Sequence, residues 1–350
     1  MAQTWLRVDG GNYLAIITEG YHYRASDQYP IVAWFPGYPL VVRWVADLGI
    51  DPVVAGLAVA AAAGLAATLL FWQWLVARVP ARTCILAVAV LLTYAYGWFL
   101  FGVLYSDALH LALALGAFVL LDRDRPWLAA AVAGAATGTR PVGYAVAVAL
   151  VILVLERDGV LGSSGRRRWA ARWGVPDRFD RGRLRVRHLA LAALSCWGVL
   201  AYSAYLWRRW GDPLLWLGVQ DHWSQGPSAG PETWFKIHMA ARMVRIHDPG
   251  YIASNLAQAA VLVVVVLFIP GVSRRFGFGY GVYVAVLVAT VAFGTNELIG
   301  AGRYLMAAFP VIPCLARWLE QRRIVVPYLV VSAIALVALT VLFSRGAYLT

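Results

Sequence analysis

The sequence predicts an all-α protein that crosses a membrane many times. Hydrophobic residues make up 61% of the chain and charged residues only 14%, whereas charged residues make up about 25% of a typical soluble domain. Long apolar segments recur along the chain from Val53 onward. A helix needs about 20 mainly apolar residues to cross the roughly 30 Å hydrocarbon core of a bilayer, which makes these segments candidate transmembrane helices.

Ten segments are predicted as spans: residues 53–77, 84–104, 107–121, 127–139, 142–156, 189–207, 251–270, 278–293, 304–316 and 327–343. Only Arg140-Pro141 separates the fourth from the fifth, so these two form either one kinked helix or a hairpin of short helices. The hairpin alone puts the loops that hold nineteen of the thirty Lys and Arg residues on one face, as the positive-inside rule requires. We therefore predict the hairpin.

The same charge pattern divides the chain into regions. Residues 1–52 are predicted to form an extracytoplasmic first loop, and residues 53–350 a transmembrane helical domain. Ten arginines fall between Arg157 and Arg187, which predicts a cytoplasmic Arg-rich loop (157–188) that contacts anionic membrane lipids rather than nucleic acid. Residues 208–250 then form an extracytoplasmic loop.

Two amphipathic stretches are predicted to be interfacial helices in the outer loops. The first covers residues 10–19, with Tyr13, Ile16 and Ile17 on its lipid side. The second covers residues 231–247 and is opened by Pro231 at its first helical position. On that helix one arc carries three cationic side chains, His238, Arg242 and Arg245. They either contact lipid phosphate or help to hold a lipid-linked phosphate donor.

Familiar soluble-enzyme motifs are absent from the sequence, including a P-loop and a His-Glu-x-x-His zinc motif. The three cysteines are widely separated and have neither metal nor disulfide spacing, and we predict no metal or other cofactor. The pattern Gly134-x-x-x-Gly138 is typical of a helix-packing contact. His110, within an apolar segment, is predicted to be a hydrogen-bonded polar group at a helix interface.

Ionisable residues at the outer ends of different spans are the remaining candidates for chemistry: Asp9, Asp107, Arg140, Asp212 and Arg303. Ionisable groups near the membrane core are costly and so are candidates for function. A carboxylate could take a proton from an acceptor hydroxyl, and arginines could hold a departing phosphate. Singly, Asp212 could instead belong to a turn and Arg303 could anchor a helix at the lipid headgroups.

Five short motifs occur in the order of a known family. They are Asp9-x-x-x-Tyr13 with Gly20-Tyr21 and Ala33-Trp34-Phe35-Pro36-Gly37-Tyr38-Pro39, then Tyr105-Ser106-Asp107-Ala108-Leu109, then Thr139-Arg140-Pro141-Val142-Gly143, then Gly211-Asp212-Pro213 with Gln220 and Trp223, and finally Gly302-Arg303-Tyr304 with Phe309-Pro310. Together they resemble the PIG-V type mannosyltransferase family of the GT-C glycosyltransferase class, whose eukaryotic members add the second mannose in GPI-anchor synthesis. This chain has Val8 where the family has Trp and Asp107 where it has Glu. The family also has a helix before the Asp loop. Either that helix is encoded upstream of Met1, which we expect, or this protein dispenses with it.

The resemblance implies a GT-C-like enzyme, and the near-absence of lysine, with Lys236 the only lysine among thirty basic residues, indicates a bacterial homologue. It would transfer a sugar, mannose in the family, from a polyprenyl-phosphate donor to an extracytoplasmic lipid or glycan acceptor, with inversion. By the family pattern Asp9 is the general base, and Arg303 and Arg140 bind the donor phosphate. The implied substrate-binding residues are Tyr13, Tyr38, Tyr105, Asp107, Asp212, Gln220, Trp223 and Tyr304. Two alternatives remain: a transporter or flippase for a lipid-linked sugar, although internal repeats typical of transporters are not evident, and a non-catalytic family member.

Overall fold

The computed structural model describes residues 9–162, 173–223, 230–298 and 300–346, with the side chains of Asp221 and Trp223 excepted. This part of the chain is all-α, as predicted, with a single two-residue strand pair, β1 (Leu161–Gly162) and β2 (Arg178–Phe179). Its helices are α1 (Asp9–Glu19), α2 (Gly37–Ala46), α3 (Pro52–Val76), α4 (Ala81–Thr93), α5 (Asp107–Asp122), α6 (Pro126–Thr137), α7 (Tyr144–Arg157), α8 (Val186–Ser195), α9 (Trp197–Trp210), α10 (Leu215–Gly218), α11 (Pro231–Trp234), α12 (Ile237–Ile246), α13 (Pro249–Phe276), α14 (Phe278–Gly294), α15 (Ala301–Leu305), α16 (Val311–Gln321) and α17 (Val325–Ser344). Short 3-10 helices cover Ile31–Ala33, Gly97–Leu100, Pro141–Gly143, Arg181–Arg183 and Val219–Trp223.

Three helices in the described part of the chain, α3, α13 and α17, are long and apolar enough to cross a membrane. A fourth candidate is the pair α8 and α9, which is bent by 61° at Cys196. Each of α3 and α13 begins with a proline after an aspartate, Asp51 or Asp248, whose side chain accepts hydrogen bonds from backbone N–H groups of the first turn. These caps satisfy donors that have no partner within the helix. The three apolar helices indicate that the protein is associated with a membrane.

The other predicted spans are shorter or interrupted. The α5, α6, α7 and α14 helices contain 16, 12, 14 and 17 residues. Segment 84–104 is helical only to Thr93 and continues in the 3-10 helix Gly97–Leu100. Segment 304–316 is divided between α15 and α16, and Pro310 stands directly before α16. A proline lacks the N–H that a continuous helix would need there.

Helices α6 and α7 form the hairpin that charge parity favours. Arg157, at the end of α7, lies 2.7 Å from the carboxylate of Asp122 at the end of α5. Helix α7 therefore ends at the same end of the bundle at which α6 begins. Gly134 and Gly138 form a packing contact, because a Cβ atom at Gly198 of α9 would lie only 2.3 Å from the carbonyl oxygen of Gly134.

Charged side chains mark one end of the bundle, which we call the arginine end. There Arg78 pairs with Asp122 at 2.6 Å, and Arg82 pairs with Glu320 at 2.6 Å. Helix α5 runs from this end to Asp107 at the opposite end, a distance of about 22 Å at 1.5 Å per residue. We call the opposite end the Asp9 end, because α1 begins there.

The interfacial-helix predictions need two corrections. Helix α1 forms where expected, but Tyr13, Ile16 and Ile17 are only 3–6% exposed and face protein rather than lipid. The ring of Tyr13 packs edge-on against Tyr38 of α2, with centroids 5.4 Å apart. The second stretch is two helices, α11 and α12, because the backbone of Lys236 adopts a left-handed conformation with φ 54°.

Candidate functional site

Four charged side chains meet at the Asp9 end of the bundle. Nη1 of Arg303 donates a 2.8 Å hydrogen bond to Oδ2 of Asp9. Nη1 of Arg140 contacts Oδ1 of Asp107, and Nε of Arg303 lies 3.9 Å from the same oxygen. The side chains of Asp107, Arg140 and Arg303 are 4–8% exposed, whereas that of Asp9 is 19% exposed. The cluster therefore joins two carboxylates and two guanidinium groups, with Asp9 on its solvent side.

Each charged residue reaches the cluster from a different part of the fold. Asp9 and Asp107 are the first residues of α1 and α5, where the positive end of a helix dipole favours a carboxylate. Arg140 is an extended residue in the turn between α6 and α7. Arg303 lies in the short helix α15, which follows Gly300. The cluster consequently forms only in the folded chain.

Backbone contacts hold these segments together. The N–H of Gly37, the first residue of α2, donates a 2.8 Å hydrogen bond to the carbonyl oxygen of Gly138. Gly138 lies next to the turn that carries Arg140. A Cβ atom at Gly37 would lie 2.8 Å from that oxygen, so a larger residue does not fit. The N–H of Gly302 donates to Oε1 of Gln258 in α13 at 3.2 Å. Arg303 is thereby tied to a long apolar helix.

Aromatic rings enclose the arginines. The guanidinium carbon of Arg303 lies 5.4, 5.1 and 5.0 Å from the ring centroids of Phe99, Tyr105 and Tyr304. The guanidinium carbon of Arg140 lies 4.8 Å from the centroid of the same Tyr304 ring. Such cation–π contacts stabilise a desolvated cation. The ring of Tyr304 therefore contacts both arginines.

Two tyrosine hydroxyl groups complete the wall around Asp9. The backbone N–H of Asp9 donates to the hydroxyl of Tyr105 at 3.1 Å, and the hydroxyl of Tyr13 shares a 2.7 Å hydrogen bond with Ser106. Burial raises the pKa of both tyrosine hydroxyls well above the ordinary value. Both groups therefore stay protonated and can donate a hydrogen bond.

Three buried polar atoms of the site make no hydrogen bond to the described protein: Oδ2 of Asp107, Nε2 of His110 and Nε of Arg303. All three residues line a cavity of about 10 Å³, which has room for about one water molecule. Nδ1 of His110 does pair with Thr139 at 3.1 Å. His110 is therefore hydrogen-bonded through Nδ1, as predicted, while Nε2 has no partner in the described part of the chain.

The other residues named by the resemblance lie elsewhere or play a packing role. The Tyr38 hydroxyl donates to the carbonyl oxygen of Gly56 at 2.8 Å, and its ring is fully buried behind Tyr13. Asp212 is exposed and accepts a hydrogen bond from the backbone of Leu214, as a turn residue does. The side-chain amide of Gln220 donates a hydrogen bond to the backbone carbonyl oxygen of Trp216, four positions earlier in the chain. The side chain of Trp223 lies outside the described part of the structure.

Sequence reasoning missed several residues of the site. Ser106 binds Tyr13, and Phe99 covers Arg303, but neither carries a charge that would single it out. Gln258 and Asn255 are both fully buried, three positions apart on one face of α13. Two amides at that spacing inside an apolar segment could have indicated a buried polar contact, because unpaired amides are costly in lipid.

A larger open cleft of about 560 Å³ lies between α12 and the chain that follows α14. His238, Arg242 and Arg245 all line it, in agreement with their predicted common arc. Arg242 pairs with Glu297 at 2.8 Å, and His238 pairs with Glu232 at 2.8 Å. Among the residues that the structure describes, no group of three or more His, Cys, Asp or Glu side chains could hold a metal ion.

No protein-family model, no curated protein and no solved structure matches this chain.

Proposed function

We propose that this protein is an integral membrane glycosyltransferase with a GT-C-like fold of about ten spans. It transfers a sugar, mannose by the family resemblance, from a polyprenyl-phosphate donor to an extracytoplasmic lipid or glycan acceptor. The observation that carries this proposal is the cluster of Asp9, Asp107, Arg140 and Arg303. It combines a partly exposed carboxylate with two buried, permanently charged groups, which is what a transfer from a lipid phosphate requires.

The reaction divides between these groups. Asp9 takes the proton of the acceptor hydroxyl, and the acceptor oxygen attacks the anomeric carbon of the sugar. The bond between that carbon and the phosphate oxygen breaks on the opposite face, so the configuration inverts. The electron pair of this bond leaves with the polyprenyl phosphate, whose charge Arg303 and Arg140 stabilise through hydrogen bonds of fixed geometry.

The two ends of the bundle support a particular orientation in the membrane. The arginine end carries Arg78, Arg82 and Arg157 and belongs in the cytoplasm by the positive-inside rule. The Asp9 end then faces the extracytoplasmic side, about 22 Å away along α5. Donor and acceptor meet there at the level of the lipid headgroups, where a polyprenyl chain can remain in the bilayer.

A transfer assay tests the proposal. Purified protein in proteoliposomes is given polyprenyl-phosphate-[¹⁴C]mannose and a membrane lipid extract, and labelled products are separated from the donor. We expect label in a new product for the wild type and for Arg208→Ala, which removes an exposed arginine, but not for Arg303→Ala. Movement of intact donor across the bilayer without a new product would instead identify a flippase.

A further inference from the structure

We infer that the donor phosphate and the Asp9 carboxylate bind Arg303 alternately, so that donor binding releases Asp9 to act as the base. This inference rests on the proposed function and explains how an ion-paired carboxylate can accept a proton. It makes Arg303 a switch between a resting and a reactive arrangement.

The nitrogens of Arg303 have different partners. Nη1 donates to Asp9 and Nη2 donates to the hydroxyl of Tyr304 at 3.2 Å, whereas Nε makes no hydrogen bond to the described residues and lies 3.9 Å from Oδ1 of Asp107. Aromatic rings lie near the guanidinium group. Asp9 is 19% exposed and Asp107 only 4%, so the bond to Asp9 is the one that a phosphate can replace from the solvent side.

The charges of the cluster are balanced before a donor binds. The cluster holds two carboxylates and two guanidinium groups and is formally neutral, and three of its four side chains are at most 8% exposed. A phosphate that joined it would add an uncompensated negative charge in a desolvated place, which is costly. Departure of one carboxylate restores the balance.

The two carboxylates of the cluster differ in how firmly they are held. Asp107 is 4% exposed and is held between Arg140 and Arg303. Asp9 is 19% exposed, and Nη1 of Arg303 is the ion-pair partner of its carboxylate in the described structure. Asp9 is thus the carboxylate that leaves the cluster more easily when a phosphate binds.

The exchange has a chemical consequence. In the described structure Oδ2 of Asp9 is occupied by the hydrogen bond from Nη1 of Arg303, and this contact limits how far the carboxylate can turn toward an incoming acceptor hydroxyl. Once phosphate occupies Arg303, Asp9 loses this contact and can take the acceptor proton. After the polyprenyl phosphate departs, Asp9 gives the proton to water and returns to Arg303. In an enzyme without bound donor, Asp9 stays bound to Arg303 and does not act as the base.

Binding of farnesyl phosphate, a short isoprenyl phosphate, to detergent-solubilised protein tests the exchange by titration calorimetry. Asp9→Asn removes the competing charge, so we expect its affinity to exceed that of the wild type at least about fivefold, as for a competition worth about 1 kcal/mol or more. The matched control is Asp51→Asn, since Asp51 is an exposed cap of α3 and asparagine caps equally well. Its affinity should equal that of the wild type.

A second measurement needs no variant. Carbodiimide labelling of wild-type Asp9, followed by mass spectrometry, should increase when farnesyl phosphate is added, because the carboxylate is released. Equal affinities for wild type and Asp9→Asn, or protection of Asp9 by the ligand, would overturn the exchange and leave the proposed function standing, provided that Arg303→Ala abolishes binding. Absence of farnesyl phosphate binding to the wild type would overturn the phosphate site and the exchange together.

Discussion

The carboxylate of Asp9 accepts a 2.8 Å hydrogen bond from the guanidinium of Arg303, although the two residues are 294 positions apart in the chain. This contact closes the site between the first described helix and a short helix near the other end of the sequence. Because neither segment can build the site alone, its chemistry depends on the complete fold of the bundle.

Replacement of Arg303 by lysine should impair donor binding nearly as much as replacement by alanine. The guanidinium uses separate nitrogens for Asp9 and Tyr304, and a single ammonium cannot reproduce that fork. Losing one hydrogen bond to a charged group costs about 1.5–3 kcal/mol, so we expect the Kd for farnesyl phosphate to rise about 10- to 100-fold. Arg208→Lys, at an exposed position, should leave it unchanged. An unaltered Kd for Arg303→Lys would make Arg303 a structural anchor only.

The pair formed by Asp107 and Arg140 should contribute strongly to stability. Removing one partner of a buried ion pair leaves an uncompensated charge and costs about 3–5 kcal/mol. Asp107→Asn and Arg140→Gln should therefore each lower the midpoint of thermal unfolding in detergent, and the double variant should be less destabilised than the sum of both.

The control for this cycle is the pair of Arg82 and Glu320 at the arginine end. Its arginine side chain is 79% exposed, and exposed pairs contribute about 0–1 kcal/mol. Its single variants should barely move the midpoint. Additive effects of Asp107→Asn and Arg140→Gln would show that the two side chains are not energetically coupled.

The contact of α6 with α9 should not tolerate a methyl group at Gly198. A Cβ atom there would lie 2.3 Å from the carbonyl oxygen of Gly134, and overpacking of this kind costs about 1–3 kcal/mol. Gly198→Ala should therefore reduce the unfolding midpoint. Gly271→Ala in α13, where a Cβ meets open space, should be neutral or stabilising. Equal midpoints for both variants would refute the close packing.

Cysteine labelling can assign the two ends of the bundle to the two sides of the membrane. In a background without Cys84, Cys196 and Cys314, cysteine is introduced at Leu184 or Leu214, which are 45% and 56% exposed. An impermeant maleimide should label Leu214→Cys in intact cells, and Leu184→Cys only after permeabilisation. Labelling of Leu184→Cys in intact cells would contradict the cytoplasmic placement of the Arg-rich loop.

Much of the site could be predicted because charge is rare in this sequence. Asp9, Asp107, Arg140 and Arg303 follow or precede apolar segments whose ends must lie at the same level, so their clustering could be expected. The pairing of Asp107 with Arg140 and of Asp9 with Arg303 could not, because it depends on how far each helix is rotated about its axis.

The errors have a common physical origin. An amphipathic helix such as α1 has the same sequence pattern whether its apolar face meets lipid or protein, so the burial of Ile16 and Ile17 could not be read from periodicity. Likewise, the pattern around Gly134 predicts a close helix contact but not its partner, Gly198.

The rate of mannose transfer by Asp9→Asn tests the central claim most directly. Initial rates are measured with saturating polyprenyl-phosphate-[¹⁴C]mannose, so that differences in donor affinity do not contribute, and Asp51→Asn serves as the control. Asparagine preserves the shape of the side chain but cannot take up a proton, and general-base catalysis contributes about 10²- to 10⁴-fold. We predict a rate reduced by that factor for Asp9→Asn and a normal rate for Asp51→Asn. A wild-type rate for Asp9→Asn would contradict the catalytic role of Asp9.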